Sequence, residues 1–371
     1  MGQLTVEAVE GREGVRSFVD YPYRKYRGDP VWVPPLRISQ LDLLDERKNP
    51  LWRHARRTLY LAKKDGRVVG RVAYVEDDEH MRVHDERIAF FGFFEAEDEQ
   101  VASALLEVVE AHASAEGLSA VRGPINGSMN DGAGFQVDAF DERPYVLMPQ
   151  NPKEYPRWVE RLGYAKVKDL YAFHFDNRRP FSERVARLAE RTASRYDVRV
   201  RPADMRRFDR EVDILKRIHT AAWEHNWGNV PLSDAEVEYL ANDLKLIIDP
   251  ELVLFLEHKG EPVALAVVVP DLNQVLARFD GRLLPFGIFH LLRRKSIIDR
   301  ARLVMLGVLP EHRHKGFDLL LIHEVVKRAK VRGIVEGECG WTLEDNTRIN
   351  RAIEAAGGVH SKTYRIYQKG L

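Results

Sequence analysis

One pattern occurs twice in this chain of 371 residues, and it restricts the fold more than any other feature. Residues 90–124 (FFGFFEAEDEQVASALLEVVEAHASAEGLSAVRGP) read as an apolar strand with an embedded glycine, a charged turn, an amphipathic helix, a glycine stop and a short strand. Residues 304–341 repeat that order. Gly92 answers to Gly307, 215 positions on, and Gly117 to Gly333, 216 positions on. Near-constant spacing over a whole strand-helix-strand unit argues for a duplicated domain. Candidate strands precede each copy, at 58–63 with 68–76 and at 252–258 with 262–270. Each copy is followed by a helix and a strand, at 153–162 and 164–175 in the first half and at 346–356 and 359–368 in the second. The spacing predicts an α/β protein of two tandem domains with mixed sheets, 1–176 and 196–371, joined by a charged helical linker at 177–195.

The two copies differ chemically at the charged turn. The second reads EHRHKG at 311–316 and opens a helix with apolar residues at Leu319, Leu320, Ile322, Val325, Val326 and Ala329. A helix N-terminus presents unpaired N–H groups and the positive end of the peptide dipole, and a glycine lets the backbone approach an anion. Arg313, His314 and Lys315 add donors just before Gly316, as a pyrophosphate requires. The plainer reading is an ordinary basic strand-to-helix turn. Asp318 stands against the anion unless it faces away or caps the helix. The first copy has EAEDEQ at 95–100, acidic and without glycine, which should repel a pyrophosphate. Anion binding therefore falls to the second copy, and a structural or acceptor-shaping role to the first. In the first copy, the glycine-rich loop 123–134 offers Asn126 and Asn130 as neutral hydrogen-bonding groups near a ligand.

Residues 313–318 resemble the acyl-CoA pyrophosphate loop of the GNAT acyltransferase superfamily, which has Arg or Gln, two residues, Gly, one residue, then Gly or Ala. Arg313 and Gly316 match, and Asp318 departs. The string 341–369 (WTLEDNTRINRAIEAAGGVHSKTYRIYQK) resembles the family's closing region. Together with FDGRLLPFG and LGVLPEHRHKGFD it resembles a branch of tandem GNAT-like bacterial proteins, some thought to acylate lipid-type amines, over essentially the whole chain. The resemblance implies acyl-CoA or acetyl-CoA as co-substrate. It implies that the backbone of Val308 and Leu309 aligns the pantetheine and thioester, that Arg313, His314, Lys315, Gly316, Phe317 and Asp318 surround the pyrophosphate, and that Asn346 contacts the pantetheine arm. Asn346 equally suits a helix N-cap. An amine would attack the thioester directly, with Glu224 or His225 as base and Tyr364 or Tyr367 as acid; a solvated helix end and a packed strand are the plainer readings of these.

Residues 280–300 (DGRLLPFGIFHLLRRKSIIDR) combine an apolar cluster, Phe286 and Phe289 among it, with Arg293, Arg294 and Lys295. They suit a lip that receives a long apolar acceptor or acyl chain and touches an anionic membrane surface, or else a packed helix with a solvated basic end. Lys plus Arg equals Asp plus Glu at 57 each, so no global field favours nucleic acid. That counts against a Fem-like transferase using aminoacyl-tRNA, one of two competing classes; the other is a binding module that has lost transfer. The single cysteine, Cys339, excludes a disulfide framework and a multi-cysteine metal site. The absence of a signal-like or transit-like start points to the cytoplasm. The expected partner is a small-molecule or lipid-like amine, and no metal is expected.

Overall fold

The computed structural model describes residues 3–129, 131–283 and 287–371. The chain forms two compact units. Unit 1 comprises 1–169, 276–288 and 363–371, and unit 2 comprises 170–275 and 289–362.

Unit 1 begins with β1 (Leu4–Ala8), α1 (Gly11–Lys25) and α2 (Arg37–Leu43), followed by β2 (Ala55–Lys64), β3 (Arg67–Asp77), α3 (Asp78–His84) and β4 (Ile88–Ala96). It continues through α4 (Glu99–Ala115), β5 (Ala120–Gly123), β6 (Phe135–Gln136) and α5 (Glu154–Arg161). Strands β1 to β4 pair antiparallel in sequence order, and β4 pairs parallel with β5. Every residue of β4 is buried, which explains its unbroken apolar run where a half-exposed strand would alternate. Helix α4 buries Val101, Leu105, Leu106, Val109 and Ala113, at helical spacing, against Val72, Tyr74, Phe91 and Phe94 of the sheet.

After β7 (Ala165–Asp176), unit 2 continues through α6 (Glu183–Arg195), β8 (Val198–Pro202), α7 (Phe208–Trp223) and α8 (Asp234–Lys245). Next come β9 (Val253–His258), β10 (Glu261–Pro270), α9 (Asn273–Leu276), α10 (Ile288–Leu292), α11 (Arg294–Ile297) and β11 (Arg300–Val308). The chain closes with α12 (Phe317–Val331), β12 (Glu336–Leu343), α13 (Thr347–Ala355) and β13 (Val359–Gly370). Here β8, β9, β10 and β11 pair antiparallel in order, and β11 pairs parallel with β12. Each unit thus carries one parallel pair inside an antiparallel sheet, as the repeat requires.

The boundaries depart from the contiguous halves at 1–176 and 196–371. The final strand of each half completes the other unit's sheet: residues 170–176 of β7 pair with β12, and the end of β13 pairs with β5 and β6. Residues 276–288 join unit 1, where the Arg37 N–H donates to the Gly281 carbonyl at 3.0 Å. The segment 177–195 is no free linker. Its helical part is α6, whose Val185 packs with Ile322 of α12 and Ala356 in unit 2.

Candidate active site

The site is built where parallel strands part. In unit 2, β11 pairs with β12 only from Arg300 opposite Glu336 to Leu303 opposite Cys339. Beyond that, residues 304–308 run on against β10 alone, with Leu306 opposite Ala266 and Val308 opposite Ala264. Among the described residues, no backbone hydrogen bond seals the other edge of this stretch. A strand edge left open inside a fold offers N–H and C=O groups to an extended ligand.

Unit 1 has the same gap and fills it. Pairing of β4 with β5 stops at Phe90 opposite Arg122. The Ile125 N–H then donates to the Phe91 carbonyl at 2.8 Å, and the Asn126 carboxamide oxygen accepts the Phe93 N–H at 2.6 Å. Gly92 permits this closure, since a Cβ there would collide with the Ile125 carbonyl. Asn126 therefore seals an edge of its own chain. Asn130 lies outside the described residues.

The charged turns differ in the same sense. In unit 2 the chain leaves β11 through a short 3-10 turn, Pro310–His312, and enters α12 through His314 and Gly316, both left-handed at φ +71° and +79°. No side chain caps α12. Of its first-turn N–H groups, that of Leu319 is taken by the Asp318 carboxylate, and those before it are left to whatever precedes the helix. The Arg313 guanidinium donates to the Ala222 carbonyl at the end of α7 (2.8 Å), and Lys315 Nζ lies 2.9 Å from His312 Nδ1. Burial and the Lys315 ammonium hold His312 and His258 below the ordinary imidazole range, which leaves Arg313 and Lys315 as the loop's permanent cations. Phe317 is wholly buried, its ring 5.6 Å from those of Tyr196 and His258. Asp318 sits in the first turn of α12: one carboxylate oxygen accepts the Leu319 N–H at 3.0 Å, and the other pairs with Arg348 at 3.3 Å. Asn346 caps α13, accepting the Ile349 N–H at 3.4 Å.

In unit 1 the matching helix is capped, with Asp98 accepting the Val101 N–H at 2.9 Å. The acidic turn is neutralised from within: buried Glu95 accepts from Tyr26 at 2.5 Å and Tyr155 at 2.7 Å, with Lys25 Nζ at 3.7 Å. Lys25 also donates to the Ala96 carbonyl and Tyr155. The turn's charges are visible in the sequence, but the cation from α1 that meets one of them is not.

The acid and base candidates belong to different units. Glu224 and His225 are exposed just past the end of α7. Tyr364 belongs to unit 1, wholly buried in register with Gln136 of β6, and Tyr367 there donates to Glu160 at 2.9 Å. Phe289 of α10 is 60% exposed, and Phe286 lies outside the described residues. Burial pushes the Cys339 thiol up to about 12, which keeps it protonated and unfit as a nucleophile.

Glu338 was not singled out by its sequence context. This β12 carboxylate is buried beside Arg302 of β11, whose Nε stands 3.7 Å away while the guanidinium donates to the Gly340 carbonyl at 2.7 Å. Burial pushes Glu338 up to about 7; Arg302 and Lys362 offset only part of that cost. The signal was available. Arg300 and Arg302 alternate along β11 and fall opposite Glu336 and Glu338, so two charged rows on parallel strands face the same way.

Solved structures place the fold. A tandem GNAT protein from the clavulanic acid biosynthesis pathway aligns over 99% of this chain and 98% of its own, with a TM-score of 0.58 and 12% identity. A GCN5-related N-acetyltransferase from Sphaerobacter thermophilus aligns over 99% and 95%, with a TM-score of 0.52 and 12% identity. No family model matches the chain. Two curated bacterial proteins match end to end. The "Bacterial ceramide synthase" of Caulobacter vibrioides is 35% identical over 99% of this chain and 98% of its own, and "Protein YghO" of Escherichia coli is 32% identical over 100% and 96%. The chain belongs to the family of these two bacterial proteins, and its fold is that of tandem GNAT proteins. In this tandem GNAT-like protein only unit 2 combines the unsealed strand edge with the uncapped basic loop, among the described residues. Among those residues, too, no helix is long and apolar enough to cross a membrane, and no cluster of His, Cys, Asp or Glu could hold a metal ion.

Proposed function

We propose that the protein is an acyl-CoA-dependent N-acyltransferase whose acceptor is a long-chain, lipid-like amine. The observation that carries this reading is the open β11 edge leading directly into the uncapped, basic start of α12. An extended pantetheine arm suits the backbone of 304–308 up to Val308 and Leu309, and a pyrophosphate suits the N–H groups around Gly316 with Arg313 and Lys315 as cations. Asp318, tied to Arg348, is no obstacle. The name of the Caulobacter relative supports an amine acceptor with a long apolar chain. Exposed Phe289 and Leu292, at 60% and 72%, followed by Arg293, Arg294 and Lys295, support contact with an anionic membrane where such an acceptor would reside.

In the proposed reaction the amine nitrogen attacks the thioester carbonyl, the C–N bond forms, the C–S bond breaks, and the thiolate leaves to be protonated. The amine must lose a proton. We assign its acceptance to Glu338, directly or through a water, because its carboxylate changes charge near neutral pH and the exposed Glu224 and His225 do not share its burial. Calorimetric titration with CoA tests the donor site. One CoA should bind per chain, and Gly316→Asp should abolish the heat; two equivalents, or an unaffected Gly316→Asp, would overturn the assignment.

A further inference from the structure

We propose that an apolar cavity beneath α12 in unit 2 receives the acyl chain of the donor, and hence that the donor carries more than an acetyl group. This rests on the acyltransfer reading above and adds a place and a length class for the transferred chain. The cavity measures about 50 Å³ and lies between α12 and the sheet. Its walls include Ala301 and Leu303 of β11, Gly337 and Cys339 of β12, and Ile322 and Ala329 of α12. Leu303 and Cys339 form the last pair of the parallel ladder. The cavity therefore begins where the strands part, and a thioester lying along the open β11 edge has its acyl carbon at that mouth.

Two features argue for an apolar occupant. One water-sized sphere needs roughly 10–15 Å³, so the space equals about four, the bulk of a short run of methylenes. Water would find few partners, since the walls are apolar apart from Asn177, Glu338 and the weakly polar Cys339 thiol, and the Asn177 amide already donates to the Ile334 carbonyl at 3.0 Å. Close-packed interiors seldom keep a void of this size. The walls nonetheless carry Ala301, Ala329 and Gly337, where larger side chains would fill it. A Cβ at Gly337 would meet only ordinary contacts, 3.5 Å from the Ala301 carbonyl and 4.0 Å from Phe175 Cβ, so the fold itself does not require glycine there.

The test compares kcat/KM for acetyl-CoA, hexanoyl-CoA and palmitoyl-CoA with one long-chain amine, in wild type, Ala329→Leu and Gly337→Val. The expected result is at least a tenfold fall in the ratio of the longer-chain to the acetyl rates in each variant that keeps its melting temperature. An unchanged ratio in folded variants would overturn the proposal. Calorimetry with CoA and palmitoyl-CoA separates this inference from the acyltransfer reading. If wild type releases no thiol from any donor, that reading fails, yet tighter binding of palmitoyl-CoA than CoA, lost in either variant, still supports the cavity. Equal affinities for the two ligands in wild type would refute it.

Discussion

Replacing Glu338 with glutamine removes a charge but almost no volume, so its effects isolate one ionisation. In the fold, desolvation raises this carboxyl from 4.5 to about 7. The folded protein therefore holds the proton more tightly than the unfolded chain. Wild type has the full benefit below about pH 4.5 and loses stability as pH rises from there to about 7, above which the loss is complete. At roughly 1.4 kcal/mol per pH interval, the loss amounts to about 3 kcal/mol. The neutral amide carries no such dependence. The difference in unfolding free energy between Glu338→Gln and wild type should thus shift by about 3 kcal/mol in favour of the variant between pH 4.5 and pH 8, measured by urea denaturation. The same ionisation should govern catalysis with the opposite sign. A base works deprotonated, so wild-type kcat/KM should rise through pH 7, and the variant should lose both that limb and most of its rate. A stability difference that does not change with pH would refute the burial argument. A rate profile unchanged in the variant would refute the assignment as base while leaving the stability argument standing.

Arg313→Ala should weaken CoA binding at least about tenfold, or about 1.4 kcal/mol, by calorimetry. Because Arg313 also holds the Ala222 carbonyl, a small drop in melting temperature should accompany it. Asn126→Ala should cost about 1–3 kcal/mol in denaturant unfolding, since it leaves the Phe93 N–H without its acceptor, and should leave CoA affinity unchanged; a loss of CoA affinity would mean that this loop shapes the donor site. The pair Phe289→Asp and Leu292→Asp should abolish sedimentation with phosphatidylglycerol vesicles, each exposed apolar anchor contributing about 1.5–3 kcal/mol on insertion. Equal binding by wild type and the double variant would show that the patch is not the contact.

The duplicated strand-helix unit was legible because periodicity and glycine spacing are local and additive: the structure has its helices at Glu99–Ala115 and Phe317–Val331, close to where the apolar spacing puts them. The inequality of the two turns was legible as charge, but its mechanism was not. Nothing near 95–100 announces that Lys25, about seventy residues earlier, meets Glu95, or that Asn126 seals the neighbouring strand edge. The exchanged final strands were hidden for a related reason. Residues 164–175 and 359–368 carry similar strand patterns, and a pattern says which face of a strand is buried without naming its partner. The strand pattern around Tyr364 accordingly gave no sign that residues 363–371 belong to unit 1. Glu338 carries no motif of its own, although the facing rows of arginine and glutamate on β11 and β12 are visible once their register is known.

The most direct test of the central claim is the product itself. Purified protein is incubated with palmitoyl-CoA and a long-chain amino-alcohol, and free thiol and product mass are followed together. The expected result is thiol release that depends on the amine, matched by a product of the combined mass of amine and fatty acid less water. CoA binding without thiol release or N-acyl product, for any acyl length or amine offered, would contradict the account and leave a tandem fold that binds the nucleotide but transfers nothing.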